Sequence, residues 1–265
     1  MSTVVQDLPV QSRFAPAQAA WRSILTHVQP QAEARPRLAV AADLARKLDA
    51  TLIGVGSEML QPIGASDPFG MLGGEFIAAM LEVIQSNLAS AEAHFHEATA
   101  GLRNQWLALE DMPDRALARV SRGADLIVAG GSPLRDRDSY TGCNASELIL
   151  KAGRPVLVAP PQGGELAARA VVIAWKDTRE ARRALADSLP ILKCADEVLL
   201  LEVCAKGEAA DIAPHHGAVL EHLARHGVTA RSKIVPGEPA FAADTLQGEA
   251  TALGADLIVA GGYGH

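Results

Sequence analysis

Gly123-Ala124-Asp125-Leu126-Ile127-Val128-Ala129-Gly130-Gly131 returns letter for letter at Gly254-Ala255-Asp256-Leu257-Ile258-Val259-Ala260-Gly261-Gly262, 131 residues further on. Each copy is a short apolar run, Leu-Ile-Val-Ala, with Gly-Ala-Asp before it and a glycine pair after it. Such a run reads as a strand buried on both faces, ending where the backbone turns sharply or approaches a ligand. Nine identical residues at that spacing make the chain two copies of one unit, each organised around this strand and the loop that follows.

The whole chain fits that division. Its 265 residues allow one large domain or two smaller ones, and the repeat decides for two, expected over 21–160 and 167–265. Apolar residues make up 49% and aromatic residues only 4%, so Ala, Leu and Val must fill the cores. A net charge of −7 and a pI near 5.6 offer no general attraction to nucleic acid or anionic lipid. Cys143, Cys194 and Cys204 are odd in number and form no C-x-x-C pair, which fits thiols in a reducing cytosol. No basic start followed by an apolar run opens the chain, and no apolar stretch reaches the ~18 residues of a membrane span. A cytoplasmic protein is expected.

In the first unit, strands are expected over 24–28, 51–55, 105–109, 125–129 and 155–159. Helices are expected over 35–50, from about 76 to 95, over 114–122 with Gly123 as a cap, and over 144–151. In the helix over 35–50, Leu38, Ala41, Ala45 and Leu48 keep helical spacing, and Arg37, Arg46 and Lys47 are expected to point outward. Residues 59–74, with four glycines and two prolines, read as a long loop. Pro160-Pro161-Gln162-Gly163-Gly164 then reads as the linker.

The pattern restarts with strands over 171–175, 198–203, 230–235 and 256–260. Helices are expected over 178–192, with Thr178 as N-cap, over 213–226, and over 241–253. Strands alternating with helices, and apolar on both faces, specify an α/β chain of two tandem open parallel sheets with helices on both faces. The second unit is expected to lack its last helix and strand in this chain, leaving its fourth strand as an apolar edge.

Ligands of such sheets sit beyond the carboxyl ends of the strands, where the strand order reverses. The residues to weigh there are 28–31 and 130–143 in the first unit, and 175–178 and 261–265 in the second. At these positions the sequence resembles the universal stress proteins. The resemblance rests on Ala-Asp-Leu-Ile-Val followed by Gly-x-x-Gly, on the later Pro155-Val156-Leu157-Val158 strand, and on Trp175-Lys176-Asp177-Thr178-Arg179-Glu180-Ala181. It covers roughly residues 22–265 as a tandem two-domain member. It implies that each open parallel sheet has the order 3-2-1-4-5, and that ATP is bound by G-2x-G-9x-G-(S/T), whose glycines let backbone N–H groups approach phosphate, with no cofactor in the degenerate first unit.

The motif carries over unevenly. Gly261 and Gly264 match its first half, and the remainder would fall beyond His265. In the first unit Gly130 matches, but the second glycine falls on Pro133, which has no N–H and cannot take glycine's conformation. Gly142 follows Pro133 after eight residues rather than nine, and Cys143 replaces the hydroxyl residue. The acid that ATP-binding members place at the end of the first strand falls on Gln29 and on Lys176, with Asp177 one place later. The resemblance therefore implies a structural first half and a nucleotide-binding second half, with Lys176, Asp177 and Val203 at the adenosine end and Gly261, Gly264 and His265 toward ribose and phosphate.

Other groupings read as structure. His94 and His96 point about 200° apart on a helix and cannot share a metal. His222 and His226, with His215 and His216 a turn or two away, read as a solvated helix end, and no metal is expected. Trp175 either stacks on a base or packs on the neighbouring helix. Cys143 has only a helix N-terminus nearby to activate its thiol. No Ser-His-Asp order, paired-carboxylate motif or Gly-Lys-Ser/Thr loop appears, so any ATP turnover is expected to be slow. The expected function is stress-linked nucleotide (ATP) binding or signalling through protein partners, in an internal pseudo-dimer that could itself form homodimers. The alternatives are a partner-interaction module whose crevices are filled by side chains such as Arg135 or Lys176, and an adenylyl-transferring α/β enzyme.

Overall fold

The computed structural model describes residues 21–60, 73–130 and 142–262. In the first unit β1 (Ser23–His27) lies between β2 (Thr51–Ser57) and β4 (Leu126–Gly130), with β3 (Asn104–Leu109) beyond β2 and β5 (Val156–Ala159) beyond β4. All four ladders are parallel. The crossovers carry α1 (Arg35–Leu48), α2 (Gly74–Ala98), α3 (Pro113–Val120) and α4 (Ala145–Lys151).

The second unit repeats the plan with β6 (Ala170–Ala174), α5 (Arg179–Leu192), β7 (Glu197–Cys204), α6 (Ala209–Arg225), β8 (Arg231–Pro236), α7 (Ala242–Leu253) and β9 (Leu257–Ala260). Its parallel order is β8-β7-β6-β9. Both sheets follow the expected order, the second ending among the described residues at β9. Ile258 on that edge is 44% exposed, the apolar edge foreseen from the sequence.

Alternation along each central strand sends side chains to opposite faces. Ile24 packs with Leu38, Ala41 and Ala45 of α1, whereas Leu25 packs with Ala116 and Leu117 of α3 and Leu148 of α4. Val171 and Ile173 meet Leu185 and Leu192 of α5 and Leu223 of α6, whereas Val172 meets Ala250 of α7. The cluster on the α1 and α5 side runs without a break through both units. At the linker, Gly163 takes φ +68°, and a Cβ there would lie 2.6 Å from Pro36 Cβ, so the turn sits against α1. Lys47 ties helix and linker together, bridging Asp43 at 2.9 Å and Glu165 at 2.8 Å.

The repeated Gly-Ala-Asp has its own task, at the end of the sheet away from the crevice. Asp125 Oδ2 accepts from the amides of Arg22 and Ser23 and from the Ser23 hydroxyl. Asp256 accepts from the amides of Arg169 and Ala170 at the same place in the second unit. Each aspartate clamps the start of its unit's first strand to the start of the fourth. The two copies of the preceding glycine diverge. Gly254 caps α7 in the left-handed conformation, whereas α3 ends at Ser121 and Gly123 closes a 3-10 turn without positive φ.

Helix boundaries hold to within a few residues of expectation, the largest difference being α6. It starts at Ala209 and carries Pro214 inside its second turn, where proline's missing N–H removes one helical bond. Among the described residues no helix is long and apolar enough to cross a membrane.

Candidate functional site

Two crevices lie at the carboxyl ends of the central strands. Register relates them: Ile24 sits opposite Leu126, and Val171 opposite the repeat-equivalent Leu257. Counting onward, Gln29 and Lys176 occupy the same position, as the sequence alignment had them.

In the second unit, Ala174 faces both Leu201 and Ala260. The chain leaving β6 at Trp175, Lys176 and Asp177 therefore runs between the ends of β7 and β9. Lys176 is exposed, and its carbonyl accepts from the Thr178 amide at 2.6 Å. Asp177 is exposed and held by Arg182 through Nε at 2.9 Å and Nη2 at 2.7 Å. Thr178 caps α5 as expected, its hydroxyl accepting from the Ala181 amide. Gly261 follows β9 and lies against that helix start, since a Cβ on it would sit 2.6 Å from Ala181 N. The lack of a side chain lets β9 end directly on the α5 N-terminus, where amides and helix dipole favour an anion. Val203 stands near the end of β7, in contact range of Gly237. Lys176, Asp177, Val203 and Gly261 are thus brought to one end of one sheet. Gly264 and His265 lie outside the described residues, as do Pro133 and Arg135.

Gly262 adds a feature that the sequence did not disclose. A Cβ there would lie 2.4 Å from Cγ2 of Ile149 on α4, so a helix of the first unit covers the end of β9.

Beneath this crevice, Glu202 on β7 and His216 on α6 form a buried pair, Nε2 to Oε2 at 2.9 Å. His216 is 1% exposed, which corrects its reading as part of a solvated helix end: its helix position faces the sheet. His222 and His226 stack edge to face at 4.7 Å, and among the described residues no cluster of His, Cys, Asp or Glu is arranged to hold a metal. Trp175 packs in the core at 7% exposure, so packing is its role and not base stacking. His94 accepts from Arg35 Nη2 at 2.8 Å between α2 and α1.

The first crevice is filled by a residue the sequence placed on the surface. Arg37 turns inward from the first turn of α1, donating through Nη2 to the His27 carbonyl and to Gln29 Oε1, both at 2.9 Å. Its Nε is enclosed without a partner, and burial lowers its pKa. Helical periodicity assigns a face to a Cβ, but a long side chain in the first turn can reach past the helix end. His27 lies beside it, 1% exposed, and burial together with the Arg37 charge drives its pKa down to about 3. Cys143 is half-buried, and burial and the nearby Asp114 carboxylate push its thiol pKa well up, which makes it inert. The cleft bounded by His27, Gln29, Ser57, Glu58 and Asn87 holds about 10 Å³, near the minimum for a single water. This cleft lies between the ends of β1 and β2 and α2, and by itself it is smaller than a nucleoside.

No protein-family model and no curated protein matches the sequence. Solved structures do match. A universal stress protein from Archaeoglobus fulgidus superposes with TM-score 0.65 over 89% of this chain and 85% of its own, at 15% identity. A functionally unknown protein from Pseudomonas aeruginosa matches with TM-score 0.49 at 18% identity, over 93% of this chain and 83% of its own. The universal stress protein from A. fulgidus in complex with dAMP matches 52% of this chain and 96% of its own, with TM-score 0.35 and 22% identity. The first superposition defines the architecture: this chain carries the universal stress protein fold, laid down in tandem.

Proposed function

We propose that the chain is a tandem universal stress protein that binds an adenine nucleotide in its second unit and uses occupancy to signal to protein partners in the cytoplasm. The domains are taken as 21–160 and 167–265, the first serving as a structural half. The observation that supports the site is the close approach of Gly261 to the α5 N-terminus, beside the exposed Lys176–Asp177 turn. Amides and dipole there favour phosphate, while the end of β7 at Val203 offers an apolar wall to a base. Among the described residues none is assigned as a general base, so ATP in this site would be held as a ligand, with slow hydrolysis at most.

The test uses exposed residues, so that folding is not at stake. ATP and AMP are titrated calorimetrically into the full chain, into Lys176→Glu and into Asp177→Lys. Saturable binding, weakened at least tenfold by one of these changes, supports the reading. No heat at millimolar nucleotide, or affinity untouched in both variants, overturns it. Ile149 over Gly262 favours a second reading, a partner-binding module whose crevice is closed by protein. That reading gains if nucleotide fails to bind.

A further inference from the structure

His222 and His226 stand one helical turn apart at the end of α6, His222 in its last turn and His226 as its C-cap. Side chains four positions apart share one helix face, and here the rings lie edge to face with centroids 4.7 Å apart. His222 is half-buried and His226 exposed. The turn that carries them is fixed. Gly227 takes φ +79°, its amide donates to the Ala224 carbonyl at 2.9 Å, and the Val228 amide donates to the Leu223 carbonyl at 3.0 Å. Leu223 and Val228 are both buried in the core beneath. This glycine-capped end ties the last turn to the core and presents the two histidines on a rigid frame.

Two imidazoles at that spacing can hold one metal ion. A zinc–nitrogen bond of about 2.1 Å puts each ring centroid about 3.2 Å from the ion, so two rings bound at about 95–110° stand about 4.7–5.2 Å apart. The observed 4.7 Å falls within that span. Rotation of each ring about its broad terminal torsion aims a nitrogen at the shared point without moving the helix. The negative end of the helix dipole lies at the same turn and favours a cation. Arg225, the neighbouring positive charge, is drawn off by Glu221 at 3.2 Å. Imidazole nitrogen suits zinc, nickel and copper, whereas magnesium and calcium take oxygen. Among the described residues no group of three or more protein ligands is arranged for a metal, so the pair is a two-point chelate and not a closed metal centre.

We propose that His222 and His226 form an exchangeable surface site for a divalent cation of the zinc, nickel and copper class, its remaining coordination positions filled by water or by a donor from a second molecule. Two donors on one fixed turn give the site a chelate's advantage and leave the ion open, which suits reversible binding better than a structural role. His216 is buried and already held by Glu202, and takes no part. His215 lies seven positions before His222 on the same stripe, about 10 Å along the axis, too far to reach the same ion. This inference does not depend on nucleotide binding in the second unit.

The experiment titrates zinc, nickel and magnesium ions separately into the nucleotide-free full chain. Heat is followed for each ion, and the imidazole resonances are followed by proton–nitrogen correlation during the zinc series. The same titrations are run on His222→Gln, His226→Gln, His215→Gln and Cys194→Ser, the last because an exposed thiol also takes zinc. The tightest zinc and nickel binding is expected to saturate at one equivalent. It should weaken at least tenfold in His222→Gln and in His226→Gln, and stay unchanged in His215→Gln and Cys194→Ser. Zinc should shift the His222 and His226 resonances together, and magnesium should neither bind there nor displace it. Absence of zinc and nickel binding, affinity indifferent to both histidines, or a tightest site lost in Cys194→Ser overturns the proposal. Should His222→Gln fail to fold, the exposed His226→Gln decides: wild-type zinc affinity in that variant overturns it, and tenfold weaker binding supports it.

Discussion

Arg37 Nη1 occupies space that Gly130 leaves open, 2.8 Å from where a Cβ would be. The glycine that ends the repeated strand therefore makes room for an arginine in the first unit and for a helix N-terminus in the second. Adding a methyl at Gly130 must shift the Nη1 end of the guanidinium, which strains the bonds that Nη2 makes to the His27 carbonyl and Gln29. Gly130→Ala is expected to cost about 1–2 kcal/mol, an overpacking effect. The same change in an Arg37→Ala background should cost less than half as much. Urea unfolding of the four proteins gives the coupling, and additive effects would show that the two groups do not touch.

His27 makes the fold acid-sensitive. Its pKa in the native state is about 3, against 6.5 for an ordinary histidine. Below the ordinary value the unfolded chain binds a proton that the folded one refuses, so stability falls as pH drops from about 6.5 toward 3 and is unaffected above that range. The slope approaches about 1.4 kcal/mol per pH unit, or about 2 kcal/mol lost by pH 5. His27→Gln should remove this part of the profile. A stability difference between wild type and variant that stays constant from pH 7 to pH 5 would refute the assignment.

The two aspartates of the repeat should not be equivalent. Asp125 accepts three bonds at a partly buried position, including the Ser23 hydroxyl, whereas Asp256 accepts two in an exposed one. Bonds to a charged acceptor are worth about 1.5–3 kcal/mol each when shielded and far less in water. Asp125→Ala is expected to cost about 2–3 kcal/mol and Asp256→Ala about 1 kcal/mol or less. Equal losses in denaturant midpoint would mean that the clamp is local capping with no dependence on burial.

This inequality also marks what the sequence could disclose. The nine-residue repeat carried the duplication and the buried fourth strand of each unit, because a buried parallel strand needs an unbroken apolar run whatever surrounds it, whereas the strand order was legible only through the family resemblance. Thr178 was legible as a cap because its chemistry is local. Arg37 and His216 were not, because their burial depends on what lies across a crevice or under a helix. A face assigned by periodicity cannot say whether a long cation leaves it, or whether a histidine meets a glutamate fourteen positions back. Ile149 is harder still. Its contact joins units whose sequence patterns describe each one alone.

That contact provides the last expectation. Ile149 Cγ2 would lie 2.4 Å from a Cβ on Gly262, so the α4 helix of the first unit sits directly on the end of β9. Ile149 is 38% exposed, so trimming it to alanine removes little buried surface and should cost about 1 kcal/mol. Gly262→Ala in the wild type must push a β-branched side chain on a helix with few alternative rotamers, at about 1–3 kcal/mol. In an Ile149→Ala background the same methyl fills the vacated space and should be nearly neutral. Because α4 starts beside Cys143 at the first crevice and ends over Gly262 at the second, the coupling would also measure how firmly the two crevices are linked. A Gly262→Ala cost that is the same with and without Ile149 would place the helix away from β9 in solution.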